Sequence, residues 1–423
     1  MNFFKPAETT ITISKRSWKE QFSLFETYNY LDFKGQDTQY STHALHTYVA
    51  AMVPQLAEIL VNTFVPKAEK VLDPFCGGGA VLVESVRNGI KASGSDINPL
   101  AILISKVKST YLDRKTLEHA CNYVHSISSR ELNGSYTFPS NYNVEYWFYP
   151  KTIAELSSII RIIQKCEIEV KFDTNVIDAL KVIFSATVRD VMLTYRNEVR
   201  LRHLEPDDLT KFRPNAFNSF ASRCRIAIDR IPMLPKNSRV QVLAAQVQNL
   251  PYPDKTFHTI ICSPPYGDEK NGVSYMQFSK FMLYWLGFSR ESVALARKKT
   301  LGYSLNDFSL PSPTLQKAFS TIMKIDNSNN GINFYRDYYL GLQQMIRVTR
   351  ENIIIVIGNR ILKQTVIENG KITAELMLNL GWKLHQRFER TLPSKRLPKL
   401  RREENHGFGG AINKEDILIF KQN

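Results

Sequence analysis

The sequence predicts an α/β fold: a doubly wound, mostly parallel sheet with a late antiparallel strand and an inserted set of helices. Three observations predict it. Lys70-Val71-Leu72, short and apolar, runs into the turn Asp73-Pro74-Phe75-Cys76-Gly77-Gly78-Gly79, then a helical stretch 80–87, then a second strand ending at Asp96. Between about 115 and 235 this alternation stops and the apolar spacing becomes mostly helical. It resumes with Arg239–Leu243 and Phe257–Cys262, the latter ending in Ser263-Pro264-Pro265-Tyr266.

Each element has a local cause. Val53, Leu56, Leu60, Val61 and Phe64 recur at helical spacing, so a helix is expected over 49–65, stopped by Pro66. Gly89 closes the helix 80–87 in the position that favours a left-handed residue. A strand follows at 91–95 and a helix at 100–111. Within the insertion, helices are expected near 152–164 and 176–195. Residues 288–335 read as polar and irregular, with Pro311, Pro313 and the run Asp326–Gly331. A helix near 334–349 leads into Ile353–Ile357, apolar throughout and suited to a strand buried on both faces. A helix over 372–380, stopped by Gly381, precedes two late strands at 382–389 and 416–421, joined by a long basic loop.

Composition narrows the function. The 423 residues carry 55 Lys+Arg against 40 Asp+Glu, a net charge of +15, which points toward a polyanionic partner, nucleic acid first. Hydrophobic residues at 43% and charged residues at 22% argue against wholesale disorder. No apolar run approaches the roughly 18–20 residues of a membrane span. The first residues lack a signal-peptide pattern, so the chain is expected to stay where it is made. Five scattered cysteines, with no Cys-x-x-Cys pair, argue against a disulfide framework or a metal site and for a reducing compartment.

Two motifs carry chemistry. A glycine turn lets backbone approach a ligand, and an acidic residue ending the next strand accepts ribose hydroxyls; Gly77, Gly79 and Asp96 stand in those places. Leu82 breaks a dinucleotide glycine fingerprint and no Gly-Lys-Ser/Thr follows, so a nucleoside without phosphate, S-adenosylmethionine, fits better, with Asp73 toward its ammonium. Ser263–Tyr266 then sits where the carboxyl edge of a parallel sheet forms its ligand crevice. An exocyclic amine is a poor nucleophile because its lone pair is conjugated into the base. The Ser263 hydroxyl and the Pro264 carbonyl, stiffened by Pro265, would accept the two amine hydrogens and free that pair, while Tyr266 offers a stacking face for a flipped base. Attack at a ring carbon instead needs a Pro-Cys thiolate, and no Pro-Cys occurs in the chain.

These residues resemble the S-adenosylmethionine-dependent amino-methyltransferases of DNA, in particular the cytosine-N4 group with its Ser-Pro-Pro-Tyr tetrapeptide. Further blocks extend the resemblance: Thr42–Tyr48, Asp73–Gly79, Ser95–Pro99, Tyr284–Gly287, Val356–Asn359 and the final strand pair. The resemblance implies a Rossmann-like methyltransferase sheet. Cofactor contacts fall to Asp73, Pro74, Phe75, Gly77, Gly79, Asp96 and Ile97, and target-amine roles to Ser263, Pro264, Pro265 and Tyr266. Where the family usually has an acid to hold the adenine amine, this chain has Gln246, whose amide still offers a hydrogen bond; Gly79 and Ala80 also depart from the pattern. The implied activity is methylation of cytosine N4 in a specific sequence of double-stranded DNA. The chain would be the modification arm of a restriction-modification system in a prokaryotic cytoplasm, with a cognate endonuclease acting separately. Adenine N6 is the nearest alternative, followed by an RNA amine or an inactive DNA-binding subunit.

The expected organisation is a cofactor half (1–114), a helical insertion (115–235), a catalytic half (236–287), a candidate recognition segment (288–335), and the end of the sheet with its basic loop (336–423). Between Arg387 and Arg402 that loop holds seven cations against the single acid Glu389. Arg390, Lys395, Arg396, Lys399, Arg401 and Arg402 are the expected DNA-backbone contacts. His43, His46, Tyr146–Tyr149, Cys76 and Cys262 are expected to serve packing, while Arg297-Lys298-Lys299 suits either phosphate or solvent.

Overall fold

A computed structural model describes residues 29–131, 136–138, 142–196, 201–238, 240–267, 273–303, 307–325, 331–392 and 414–422. The first strands are β1 (Lys70–Asp73), β2 (Lys91–Asp96), β3 (Gln241–Ala244), β4 (Phe257–Cys262) and β5 (Thr349–Gly358). A small hairpin, β6 (Arg360–Leu362) and β7 (Thr365–Ile367), separates them from β8 (Trp382–Thr391) and β9 (Lys414–Gln422). The main sheet runs β3-β2-β1-β4-β5-β9-β8. Neighbours from β3 to β5 are parallel, and β9 runs antiparallel to both β5 and β8. This is the expected mostly parallel sheet with a late antiparallel strand. Chain order reverses direction across the sheet between β1 and β4, which opens a crevice at their carboxyl ends.

Helices α1 (Pro54–Phe64), α2 (Ala80–Arg87) and α3 (Pro99–Lys108) belong to the cofactor half. The α1 helix starts later than the apolar spacing suggests because Pro54 occupies its first turn, where a missing N–H costs nothing. Ile353–Ile357 in β5 is buried on both faces, as an apolar run without alternation requires.

The helical insertion contains α4 (Arg114–Ser128), α5 (Pro150–Lys165), α6 (Thr174–Val191) and α7 (Ala216–Arg230). Its apolar faces form one continuous core with α3 and with α8 (Tyr275–Trp285), so it is packed onto the sheet's own helices. The α6 helix ends before the expected residue 195, because Met192 turns extended.

Residues 288–335 differ from expectation. They contain α9 (Arg290–Lys298), α10 (Pro313–Ile325) and the start of α11 (Ile332–Val348). Ser312-Pro313 reads locally as a turn, yet Pro313 opens α10. The Ser312 hydroxyl accepts from the Leu315 amide at 3.1 Å, and Glu375 of α12 (Asn369–Asn379) accepts from the Thr314 amide at 3.1 Å. Leu315, Phe319 and Ile322 then enter the core beside Tyr335 and Tyr338.

Candidate active site

The crevice at the ends of β1, β2 and β4 is an open cavity whose walls carry residues from both halves of the sheet. Asp73, Pro74, Phe75, Gly77, Asp96 and Ile97 line it from the cofactor side, and Ser263 and Pro265 from the other.

The turn after β1 is built by backbone geometry. Gly79 has φ +80°, and a Cβ there would stand 2.9 Å from the Ser105 Cα, so only glycine lets α2 start against α3. Gly79 therefore shapes the turn from behind the cavity. The Gly77 amide donates to Asp96 Oδ2 at 3.0 Å, and the Asn98 amide to Oδ1 at 2.9 Å. Each carboxylate oxygen keeps lone-pair capacity for a ribose hydroxyl. Burial raises the Asp96 pKa, opposed by the amides of Asn98, Gly77 and Ile97.

Asp73 accepts from the Phe75 amide at 3.1 Å. Burial pushes its pKa up to about 8, against the pull of that amide and with help from the charge of Asp96. An ammonium group in the cavity would relieve this. A buried carboxylate (Asp73) and a half-buried one (Asp96) around a glycine turn thus fit the cationic, hydroxyl-bearing cofactor S-adenosylmethionine.

Gln246 departs from expectation. Its amide donates to the Lys299 carbonyl at 3.3 Å, whereas Gln248 lines the cavity, with a buried Oε1 that has no partner among the described residues. The short helical turn Val247–Asn249 brings the second glutamine, rather than the first, to the wall. Tyr48, Asn98, Lys299 and Leu301 also line the cavity. Asn98 donates to the Tyr48 hydroxyl at 3.0 Å and to Ser279 Oγ at 2.7 Å, tying the α3 start to α8. Tyr48 and Asn98 lie within blocks that carry the resemblance; nothing local signals Gln248, and Lys299, read from sequence as suiting phosphate or solvent, lines the cavity instead.

At the end of β4, Ser263 and Pro265 reach the cavity while Pro264 is buried. Tyr266 lies against Gly358, where a Cβ would stand 2.7 Å from its ring. The Tyr266 hydroxyl donates to Glu415 Oε1 at 2.5 Å. Asn369 Nδ2 donates to the Tyr266 carbonyl at 3.0 Å and to that of Gly358 at 2.8 Å. Burial and the Glu415 charge raise the Tyr266 pKa well above the ordinary phenol value, so its hydroxyl stays protonated. Neither Glu415 nor Asn369 carries any local sequence signal.

Arg390 overturns an expectation. It is a β8 residue, 2% exposed, donating to Glu415 Oε2 through Nε at 2.8 Å. A guanidinium buried on that carboxylate is not presented to a DNA phosphate. Arg387 likewise donates to Asp416, at 2.8 Å. Lys395, Arg396, Lys399, Arg401 and Arg402 lie outside the described residues.

Most of the packing residues behave as expected, but Tyr146 stays 51% exposed. His43 hydrogen-bonds with Glu84 at 2.7 Å, and His46 Nδ1 donates to the Thr47 carbonyl at 2.6 Å. Phe148 and Trp147 pack into the core of the insertion. All five cysteines are buried, and burial raises the Cys76 and Cys262 thiols well above the range of a nucleophilic thiolate. Among the described residues no cluster of His, Cys, Asp or Glu could hold a metal ion, and no helix is long and apolar enough to cross a membrane.

The model of the D12 class N6 adenine-specific DNA methyltransferases matches residues 50–138. Over 430 aligned residues the chain is 29% identical to the Type II methyltransferase M.MvaI of Kocuria varians, covering 93% of each. A stretch of 76 residues, 18% of this chain and 14% of the relative, is 34% identical to the Type II methyltransferase M.MjaII of Methanocaldococcus jannaschii. Another of 52 residues is 42% identical to a tRNA (guanine(10)-N2)-dimethyltransferase of Methanothermobacter thermautotrophicus, covering 12% of this chain and 16% of that one. Together with the cavity between β1, β2 and β4, these likenesses support a DNA methyltransferase that takes its methyl group from S-adenosylmethionine.

Proposed function

We propose that this chain methylates the exocyclic amine of a flipped base in double-stranded DNA, cytosine N4 in the first instance, as the modification enzyme of a type II restriction-modification system. The observation that carries this reading is the placement of Ser263 and Pro265 on the wall of the same cavity as Asp73 and Asp96. S-adenosylmethionine supplies a methyl group on a sulfonium that is already a good leaving group. The protein's task is then to orient the amine and remove its conjugation. The Ser263 hydroxyl and the Pro264 carbonyl accept the two amine hydrogens, drawing the nitrogen toward tetrahedral geometry. Asp73 holds the cofactor ammonium and Asp96 its ribose. Tyr266, with its hydroxyl already engaged, contributes a ring face to the base. The cations at Lys395, Arg396, Lys399, Arg401 and Arg402 track the phosphate backbone.

A second reading, adenine N6, is favoured by the D12 class match. That match covers residues 50–138, part of the cofactor half and the start of the helical insertion, whereas the tetrapeptide facing the target base begins at Ser263. Serine in place of an acid or amide at that first position supports cytosine. DNA methylated by the purified protein, digested to nucleosides and resolved by mass, is expected to contain N4-methylcytosine. N6-methyladenine alone would transfer the same mechanism to adenine. Ser263→Ala should lower transfer by about 10²–10³-fold with cofactor binding retained.

A further inference from the structure

We infer that Glu415, held by Arg390, is a positioning residue for the reaction: it fixes the ring of Tyr266 at the edge where the target base is received. This rests on the reading of Tyr266 as the base-facing ring.

Sheet register makes the arrangement. Glu415 on β9 pairs with Gly358 on β5 on one side and with Arg390 on β8 on the other. Gly358 is where the Tyr266 ring lies, because a Cβ there would stand 2.7 Å from Cε2 and 3.1 Å from Cδ2. One rung of the sheet therefore supplies a gap for the ring, an acceptor for its hydroxyl and a cation for that acceptor. Glu415 Oε1 takes the Tyr266 hydroxyl at 2.5 Å, leaving Oε2 for Arg390 Nε at 2.8 Å and Nη2 at 2.5 Å. Arg390 Nη1 continues to the Leu31 carbonyl at 3.2 Å.

Glu415 and Arg390 are 7% and 2% exposed. A carboxylate buried that far from water is retained at a cost unless its lone pairs are used, and here they are divided between a fixed cation and one phenol. The backbone end of Tyr266 is fixed independently by Asn369, which takes the Tyr335 hydroxyl at 2.7 Å on its own carbonyl oxygen. With its main chain pinned at one end and its hydroxyl at the other, the ring has one orientation before the base arrives. Such pre-organisation acts on the rate of transfer more than on binding.

A double-mutant cycle tests this in the full-length protein. Tyr266→Phe removes the hydroxyl and keeps both ring and ion pair. Glu415→Leu combined with Arg390→Met removes the anchor without stranding a buried charge. Each change is expected to lower kcat about tenfold with KM for DNA and cofactor nearly unchanged, and the triple variant should be no slower than the slower of the two. A 2-aminopurine at the target position should brighten in each variant as the ring stacks on it less well. Full kcat in Tyr266→Phe, a change that leaves the ion pair intact, would overturn the inference. So would losses that multiply, the signature of two separate structural roles. If the wild-type protein transfers no methyl group to DNA, the proposed function fails as well. Transfer by the wild type without coupling sinks the positioning role alone.

Discussion

The two edges of the cavity are held in different ways. On the cofactor side, contacts are local: the Gly77 amide reaches Asp96 across 19 residues, and Phe75 and Asn98 bond to carboxylates two residues away. At the end of β4, Tyr266 is held by Asn369, 103 residues on, and Glu415, 149 residues on. One edge is a backbone turn that its own segment specifies. The other is a short tetrapeptide whose geometry is borrowed from the far end of the sheet. The acidic pair is thus fixed where structure is local, whereas on the proposed reading the ring facing the target base depends on elements assembled last in sequence.

Substitutions at the two edges should therefore separate affinity from rate. The largest effect on cofactor affinity is expected from Asp96→Ala, which removes the paired acceptor from the cofactor edge. Cofactor affinity should fall about 100-fold, roughly 3 kcal/mol for hydrogen bonds to a charged group, measured by calorimetry. Gly358→Ala addresses the other edge. Its Cβ would meet the Tyr266 ring at 2.7 Å, so single-turnover transfer should slow by about 10- to 100-fold while cofactor affinity holds. A drop in affinity there would erase the distinction between the edges.

Asp73 gives a sharper probe of the cofactor edge. Its pKa near 8 means the carboxyl of the cofactor-free protein is mostly protonated below that pH. The cofactor ammonium favours the ionised form, so affinity should rise as pH climbs toward 8 and weaken by up to about tenfold for each unit below it. Asp73→Asn should bind more weakly at pH 8 and lose that dependence; an unchanged profile would assign the pH response elsewhere. The smallest effect belongs to the basic loop. Neutralising Lys395 and Arg396 should flatten the slope of log affinity against log salt by about 0.9 for each phosphate left without its cation. The same change should leave cofactor affinity unaltered.

Arg390 shows what a charge count cannot tell. In sequence it is one of a cluster of cations; in the sheet it is buried and donates to Glu415. Gln246 makes the same point at shorter range, since one helical turn exchanges it for Gln248 at the cavity wall. In 288–335 a proline that reads locally as a breaker opens a helix, because its capping partner Glu375 comes from α12.

By itself the sequence determined the strand–glycine turn–helix–strand unit, the acidic pair Asp73 and Asp96, and the Ser263–Tyr266 motif at a strand end. Those features rest on short-range constraints: left-handed backbone at Gly79, apolar runs that demand burial, and prolines that fix φ. Tertiary structure alone decided which side chains support Tyr266, which glutamine meets the cavity, and which arginines are withdrawn from DNA. The physical reason is that a buried polar group's role is set by its partner. Here the partners meet through the register of β5, β9 and β8, pairings that close over many intervening residues and leave no periodic trace in the chain.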